Sequence, residues 1–219
     1  MDSKRIFISR QLVSNSPIRK VAEGHYIKDQ SLIQFSSLIF DPPETDWVFF
    51  YSRNAVRFFF EETNLELYPY QYACLSHGTA EELSKYVLDI SFVGNGSPSE
   101  VAQQFQEVRT SNEPVCFIRA NNSVDSIHNF LNAGNIFSIP VYDNQPIKNV
   151  PVEDFDILIF TSPMNVDVWF SANEYKGQSI IVIGNTTQSA VKKYATKNVR
   201  VADQPSEEAI AELLNEILN

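Results

Sequence analysis

The chain has 219 residues, enough for two α/β domains of about 100 residues each. A hydrophobic content of 43% against 20% charged residues excludes a disordered chain, and a net charge of -10 argues against nucleic acid or an anionic membrane as the main partner, since both repel an acidic protein. No apolar run approaches the ~20 residues of a membrane span, and the start, MDSKRIFISR, leads into a strand rather than a signal-peptide core, so a cytoplasmic protein is expected.

In chain order, KRIFIS reads as a strand, PIRKVAE as a short helix and HYIKDQSLIQFSSL as one long strand. DWVFFYS and NAVRFFFEET follow as strand and helix, then YQYACL and GTAEELSKYV, then ISFVG and SEVAQQFQEV. EPVCFIRA, the helical pattern SVDSIHNFLNA and the strand NIFSIPVY come next. The last third alternates again: FDILIFTS and NVDVWFSANE, QSIIVIG and TTQSAVKKYAT, NVRVA and SEEAIAELLNEIL. This alternation predicts α/β layering on mostly parallel sheets.

The second and last thirds repeat one another. Ser52, Asn54 and Val56 match Ser162, Met164 and Val166; Thr79, Leu83 and Tyr86 match Thr187, Val191 and Tyr194; Pro98, Ser99 and Glu100 match Pro205, Ser206 and Glu207. The order is kept over about 60 residues, which marks an internal repeat. The first copy continues into a further strand, helix and strand. The second has no such extension, so the N-terminal KRIFISR and PIRKVAE are expected to complete it. That makes residues 1-34 with 146-219 one discontinuous domain and 35-145 an inserted one.

Ser52, Ser162 and the Thr186/Thr187 pair each stand between an apolar strand and a helix. There a hydroxyl caps the helix while free backbone N–H groups and the positive helix end face outward, a seat for an anion. Ser and Thr are also the favoured caps, so any one turn is explained by capping alone. Several such turns, at the carboxyl ends of strands in two domains, are expected to converge on one ligand cleft. Catalytic motifs of other kinds are missing: GNGSPS lacks the third glycine of a dinucleotide fingerprint, no P-loop or GxSxG occurs, and His25, His77 and His128 have no metal-ligand spacing. His25 is expected in a strand, His77 in a turn and His128 on a helix surface. Cys74 and Cys116 read as buried core thiols, and the pairs Glu61/Glu62, Glu81/Glu82 and Glu207/Glu208 as helix-surface or first-turn acids.

The strand ending in Ser9 and Arg10, FYSRNAV, IPVY ending in Tyr142, IFTSPMNV, VIGNTTQSAV and VADQPSEEAIAELL together resemble the uroporphyrinogen-III synthase family over nearly the whole chain. IFTSPMNV followed by IGNTT and then PSEEAI is the most specific part. The resemblance implies two Rossmann-like α/β domains joined by a two-stranded β ladder, with the N-terminal segment belonging to the domain of the C-terminal half. It also implies the reaction: the linear tetrapyrrole hydroxymethylbilane closes to uroporphyrinogen III with inversion of ring D and loss of water, without metal or cofactor. Tyr142 then stands where the family has its candidate acid, and Ser52, Ser162, Thr186, Thr187, Thr79, Asn122 and Arg10 carry over as substrate contacts. The sequence departs from the family where CLSHGT has Ser76 in place of the usual glycine and where FIRANNSVDSI lacks the glycine expected after its strand, so the half containing TSPMNV is expected to grip substrate better. A monomer is expected. The residues themselves leave open a non-catalytic two-domain protein that binds an anionic small molecule.

Overall fold

The structure is a computed structural model that describes residues 3–62, 69–110, 112–123, 127, 130, 131 and 135–219. The N-terminal segment forms β1 (Arg5–Ile8), α1 (Pro17–Val21), β2 (Tyr26–Asp29) and β3 (Ile33–Ser37). The middle forms β4 (Trp47–Phe50), α2 (Arg53–Glu62), β5 (Gln71–Cys74), α3 (His77–Leu83), β6 (Phe92–Val93), α4 (Pro98–Val108), β7 (Val115–Ala120) and β8 (Ile136–Pro146). The last third forms β9 (Ile157–Phe160), α5 (Pro163–Ala172), β10 (Ser179–Val182), α6 (Asn185–Val191), β11 (Val199–Val201) and α7 (Glu207–Leu218). Two compact units result, Met1–Gln34 with Gln145–Asn219, and Phe35–Asn144.

The discontinuous unit carries a five-stranded sheet in the order β11-β10-β9-β1-β2, with parallel pairing throughout. The inserted unit carries the six-stranded sheet β3-β8-β7-β4-β5-β6, parallel from β8 to β6. Both are α/β folds, and each of the five strands of the smaller sheet has a counterpart in the larger. β9, β10 and β11 correspond to β4, β5 and β6; the places of β7 and β8 are taken by β1 and β2. Ile6 pairs with Ile157 as Cys116 pairs with Val48, so an N-terminal strand fills the gap left by the missing extension.

The apolar runs WVFF of β4 and ILIF of β9 are buried at every position. Parallel strands covered on both faces lose the alternation of a half-exposed strand. In the inserted unit α2 and α3 cover one face through Val56, Phe59 and Leu83, and α4 covers the other through Val101 and Phe105. In the discontinuous unit α5 and α6 cover one face through Val166, Trp169 and Val191, and α1 and α7 the other through Ile18, Ile210 and Leu214. Cys74 and Cys116 are free and buried, and burial pushes their thiols up to about 11 and about 12. They lie on β5 and β7 with β4 between. Two strand spacings of ~4.8 Å exceed the Cα span of a disulfide.

Several expectations change. HYIKDQSLIQFSSL is two strands in two sheets, because Ser31 bonds locally to both the N–H and the carbonyl of Ile33 and Leu32 turns into the core beside Phe7 and Val166. His25 precedes β2 rather than lying in it, and its Nδ1 accepts from the Lys4 N–H at 3.0 Å. The match of Pro98-Ser99-Glu100 to Pro205-Ser206-Glu207 is out of step. α4 is capped by Ser97, with Pro98 inside the first turn and Glu100 closing a capping box, whereas α7 is capped by Ser206. Most of SVDSIHNFLNA, including His128, lies outside the described residues. No helix among the described residues is long and apolar enough to cross a membrane.

Candidate functional site

In the discontinuous unit the neighbouring strands β10, β9 and β1 end side by side, so the turns at 183–187, 161–165 and 9–10 share one sheet edge. Ser162 caps α5: its Oγ accepts from the Asn165 N–H at 3.3 Å and from Asn165 Nδ2 at 2.8 Å. The buried Ser9 hydroxyl accepts from the Thr161 N–H at 2.9 Å and lies 3.3 Å from Thr161 Oγ1, which ties the ends of β1 and β9 together. α6 begins at Gly184 with no side chain bonded to its first N–H groups. Those amides therefore face outward at the positive end of the helix. Thr186 is exposed beside them, while Thr187 is buried beneath.

Gly184 has φ 176° and ψ 177°, an extended backbone open to any residue. A Cβ there would meet nothing within 4 Å. Glycine thus leaves clear space in front of the amides rather than easing strain. Arg10 follows β1, with Nη1 3.7 Å from Glu207 Oε1. Glu207 also accepts from the Ser16 hydroxyl at 2.6 Å, so the cation is partly answered within the unit. Arg10, Ser16, Ser206 and Glu207 line an open depression of about 430 Å³.

In the inserted unit the carboxyl ends of β8, β7, β4 and β5 stand in one row. Ser52 caps α2 by accepting from the Ala55 N–H at 3.1 Å, and its Oγ lies 3.2 Å from the Tyr142 hydroxyl. Tyr142 is 6% exposed, stacked on Phe58 at 5.1 Å and met edge-on by Phe35 at 5.8 Å. Burial pushes the phenol pKa up, against the opposing pull of hydrogen bonds with Ser52 and Asn54. The group is therefore a neutral donor at physiological pH. The Tyr142 carbonyl accepts from the Asn121 N–H at 2.8 Å, which brings the exposed Asn122 turn beside it.

Thr79 is buried in the first turn of α3, its hydroxyl 3.2 Å from that of the cap residue Ser76. Ser76 has the same extended backbone as Gly184, φ -156° and ψ 161°. The serine in place of glycine keeps the extended turn and adds a side chain where Gly184 has none. His77 is exposed at the first position of α3. Among the described residues no cluster of His, Cys, Asp or Glu could hold a metal ion.

One edge thus gathers Ser162, Thr186, Thr187 and Arg10, and the other gathers Tyr142, Ser52, Asn122 and Thr79. Sequence reasoning missed three contributors. Arg53 crosses from α2 to the Gly78 carbonyl at 2.8 Å, where a Cβ on Gly78 would come within 2.7 Å of Nη2, so the glycine gives this cation its path. Thr161 and Asn165 complete the Ser162 turn. Asn165 had a readable signal, since it stands three residues after a predicted cap, where side chains turn back onto the cap.

A family model described as uroporphyrinogen-III synthase HemD matches residues 25–212. Among solved structures, a uroporphyrinogen-III synthetase from Helicobacter pylori 26695 is similar at a TM-score of 0.72 and 22% identity, covering 99% of this chain and 100% of that one. A mutant uroporphyrinogen III synthase from the extremely thermophilic bacterium Thermus thermophilus is similar at a TM-score of 0.63 and 13% identity, covering 99% of each chain. No curated protein sequence matches the chain significantly.

Proposed function

Because the chain belongs to the uroporphyrinogen-III synthase family, we propose that it acts as a carbon–oxygen lyase, closing hydroxymethylbilane to uroporphyrinogen III with inversion of ring D and loss of water. The observation that carries the chemistry is the Tyr142 phenol, neutral, buried and 3.2 Å from Ser52 at the carboxyl edge of its sheet. In this reading the phenol donates its proton as the terminal hydroxyl departs, so the C–O bond electrons leave with water. The new carbon–carbon bond forms on the ring D carbon that already carries the bridge to ring C, that bridge bond then breaks and re-forms at the free carbon of ring D, and the proton displaced there restores the phenol.

The substrate carries eight carboxylates, and an acidic protein holds them best with neutral donors. The outward amides of α6 and the hydroxyls of Ser162 and Thr186 supply such donors, and the cations Arg10 and Arg53 add charge on the two sheet edges. The bilane also closes spontaneously without inversion. Catalysis of the type III product therefore depends on holding its ends in the geometry that favours the spiro route.

The test is to incubate the protein with enzymatically generated hydroxymethylbilane and resolve type I from type III product. Type III should dominate. Tyr142→Phe should lower its rate by about 100-fold and raise the share of type I. Type I alone, at the uncatalysed rate, would leave a binding protein rather than an enzyme, and an unimpaired Tyr142→Phe would remove the phenol from the chemistry.

A further inference from the structure

The two capping serines offer their hydroxyls to different ends. We propose that Asn165 is a positioning residue for substrate binding: it fills the acceptor side of the Ser162 hydroxyl, turns the Ser162 proton outward and commits that hydroxyl to donate to a substrate carboxylate. This deepens the function proposed above and rests on its reading that Ser162 meets substrate.

The chain of contacts begins at Leu32, whose backbone N–H donates to Asn165 Oδ1 at 2.9 Å. A backbone N–H can only donate, so this contact fixes which end of the amide is oxygen. The other end, Nδ2, then faces Ser162 Oγ at 2.8 Å, and the Asn165 backbone N–H approaches the same oxygen at 3.3 Å. A hydroxyl has two acceptor sites and one proton. Both acceptor sites are taken by groups that cannot receive the proton, so the proton points elsewhere. Asn165 is 4% exposed and held at both ends, whereas Ser162 is half-buried and reaches the surface.

The sister turn lacks this device. Ala55 stands in the place of Asn165, and Ser52 Oγ accepts from the Ala55 N–H and shares its second bond with the Tyr142 hydroxyl, in which either atom can donate. Ser52 is thereby coupled to the phenol, and Ser162 is a dedicated donor. One serine serves the acid and the other serves the grip.

The experiment is a double-mutant cycle on the full chain, with hydroxymethylbilane as substrate and KM and kcat read separately. Asn165→Asp keeps the shape and the acceptor for Leu32, and a carboxylate suits a helix start, so the melting temperature should stay within about 2 °C. It replaces the Nδ2 donor by an acceptor, which draws the Ser162 proton inward. KM should rise about tenfold with kcat within about twofold, and Ser162→Ala should do the same, as loss of one hydrogen bond to a charged group implies. In the Ser162→Ala background Asn165→Asp should cost no more than about threefold in KM, the part due to like-charge repulsion. Asn165→Ala, run through the same cycle, should show the same coupling with no added charge. If the two effects multiply, Asn165 does not act through Ser162, and the positioning role is overturned while the substrate contact stands. If Ser162→Ala leaves KM unchanged, the contact itself fails and the inference goes with it.

Discussion

Glu82 is an acid on the buried face of a helix. It accepts from Arg57 at 2.8 and 3.0 Å and from Lys85 at 2.7 Å, and these bonds, Arg57 first, pull its carboxyl down to about 2. A depressed folded pKa stabilises the protein above the unfolded carboxyl value of about 4.3 and ceases to do so as pH falls toward about 2. Glu82→Gln should therefore unfold at lower urea than the parent at pH 6, by about 1.5–3 kcal/mol, with the gap closing between pH 4 and 2.5. A gap that stays constant over that range would remove the ion pair as its cause. Read as a sequence, Glu81/Glu82 passes for a surface pair, yet the inward face of α3 runs Thr79, Glu82, Leu83. That is helical spacing, and it places Glu82 inside. The partner that makes burial tolerable, Arg57, lies 25 residues away and is visible only once α2 and α3 pack. Tyr142 is the opposite case: its motif and the neutral state of a phenol were legible, but its burial and its bond to Ser52 arise from tertiary packing.

At the scale of elements, the repeat is carried by helix pairs as well as turns. Tyr86 stacks on Phe60 at 4.6 Å where α3 meets α2, and Tyr194 stacks on Phe170 at 4.7 Å where α6 meets α5. Around this shared stack the polar ties differ. Arg57–Glu82–Lys85 joins one pair, and Lys193 with Tyr194 on Asp167 joins the other. The aromatic match could be read from the sequence because it recurs at fixed spacing, whereas the polar ties did not recur. The break after β2 was hidden for a similar reason, since it depends on a local Ser31 bond and the burial of Leu32 rather than on any turn residue. The start of α6 gives the element-scale test. Gly184→Val suits the extended backbone and its Cβ meets no neighbour within 4 Å, so the melting temperature should move by less than about 2 °C. KM for hydroxymethylbilane should nonetheless rise about tenfold as the amides are screened. A large loss of stability would show that the space is not open, and an unchanged KM that no carboxylate docks there.

At the scale of the whole molecule, the two units differ in how the chain supplies them. Phe35–Asn144 is continuous and holds two apolar clusters of its own, one on each face of its sheet. Expressed alone, residues 35–144 should fold and unfold cooperatively in urea, because the interactions that bury β4, β5 and β7 all lie within it. A fragment with no cooperative transition would show that the continuous unit depends on the rest of the chain. The other unit cannot be cut out in this way, since β1 sits in its sheet between β9 and β2. The alternation of strands and helices revealed the fold class, and the missing extension of the second copy revealed where the N terminus must go. Which strands neighbour which had to come from the folded chain.

The place of β1 also sets an order of events during synthesis. Ile6, Phe7 and Ile8 leave the ribosome about 150 residues before Ile157, Leu158 and Ile159, the residues they pair with, which imposes a wait of roughly 7–30 s. Throughout that interval the apolar run Ile6, Phe7 and Ile8 of β1 has no partner on one side, while the continuous unit can complete itself in between. Residues made this early are thus among the last to be sheltered on both sides. During that wait β1 is a segment that a chaperone can shelter.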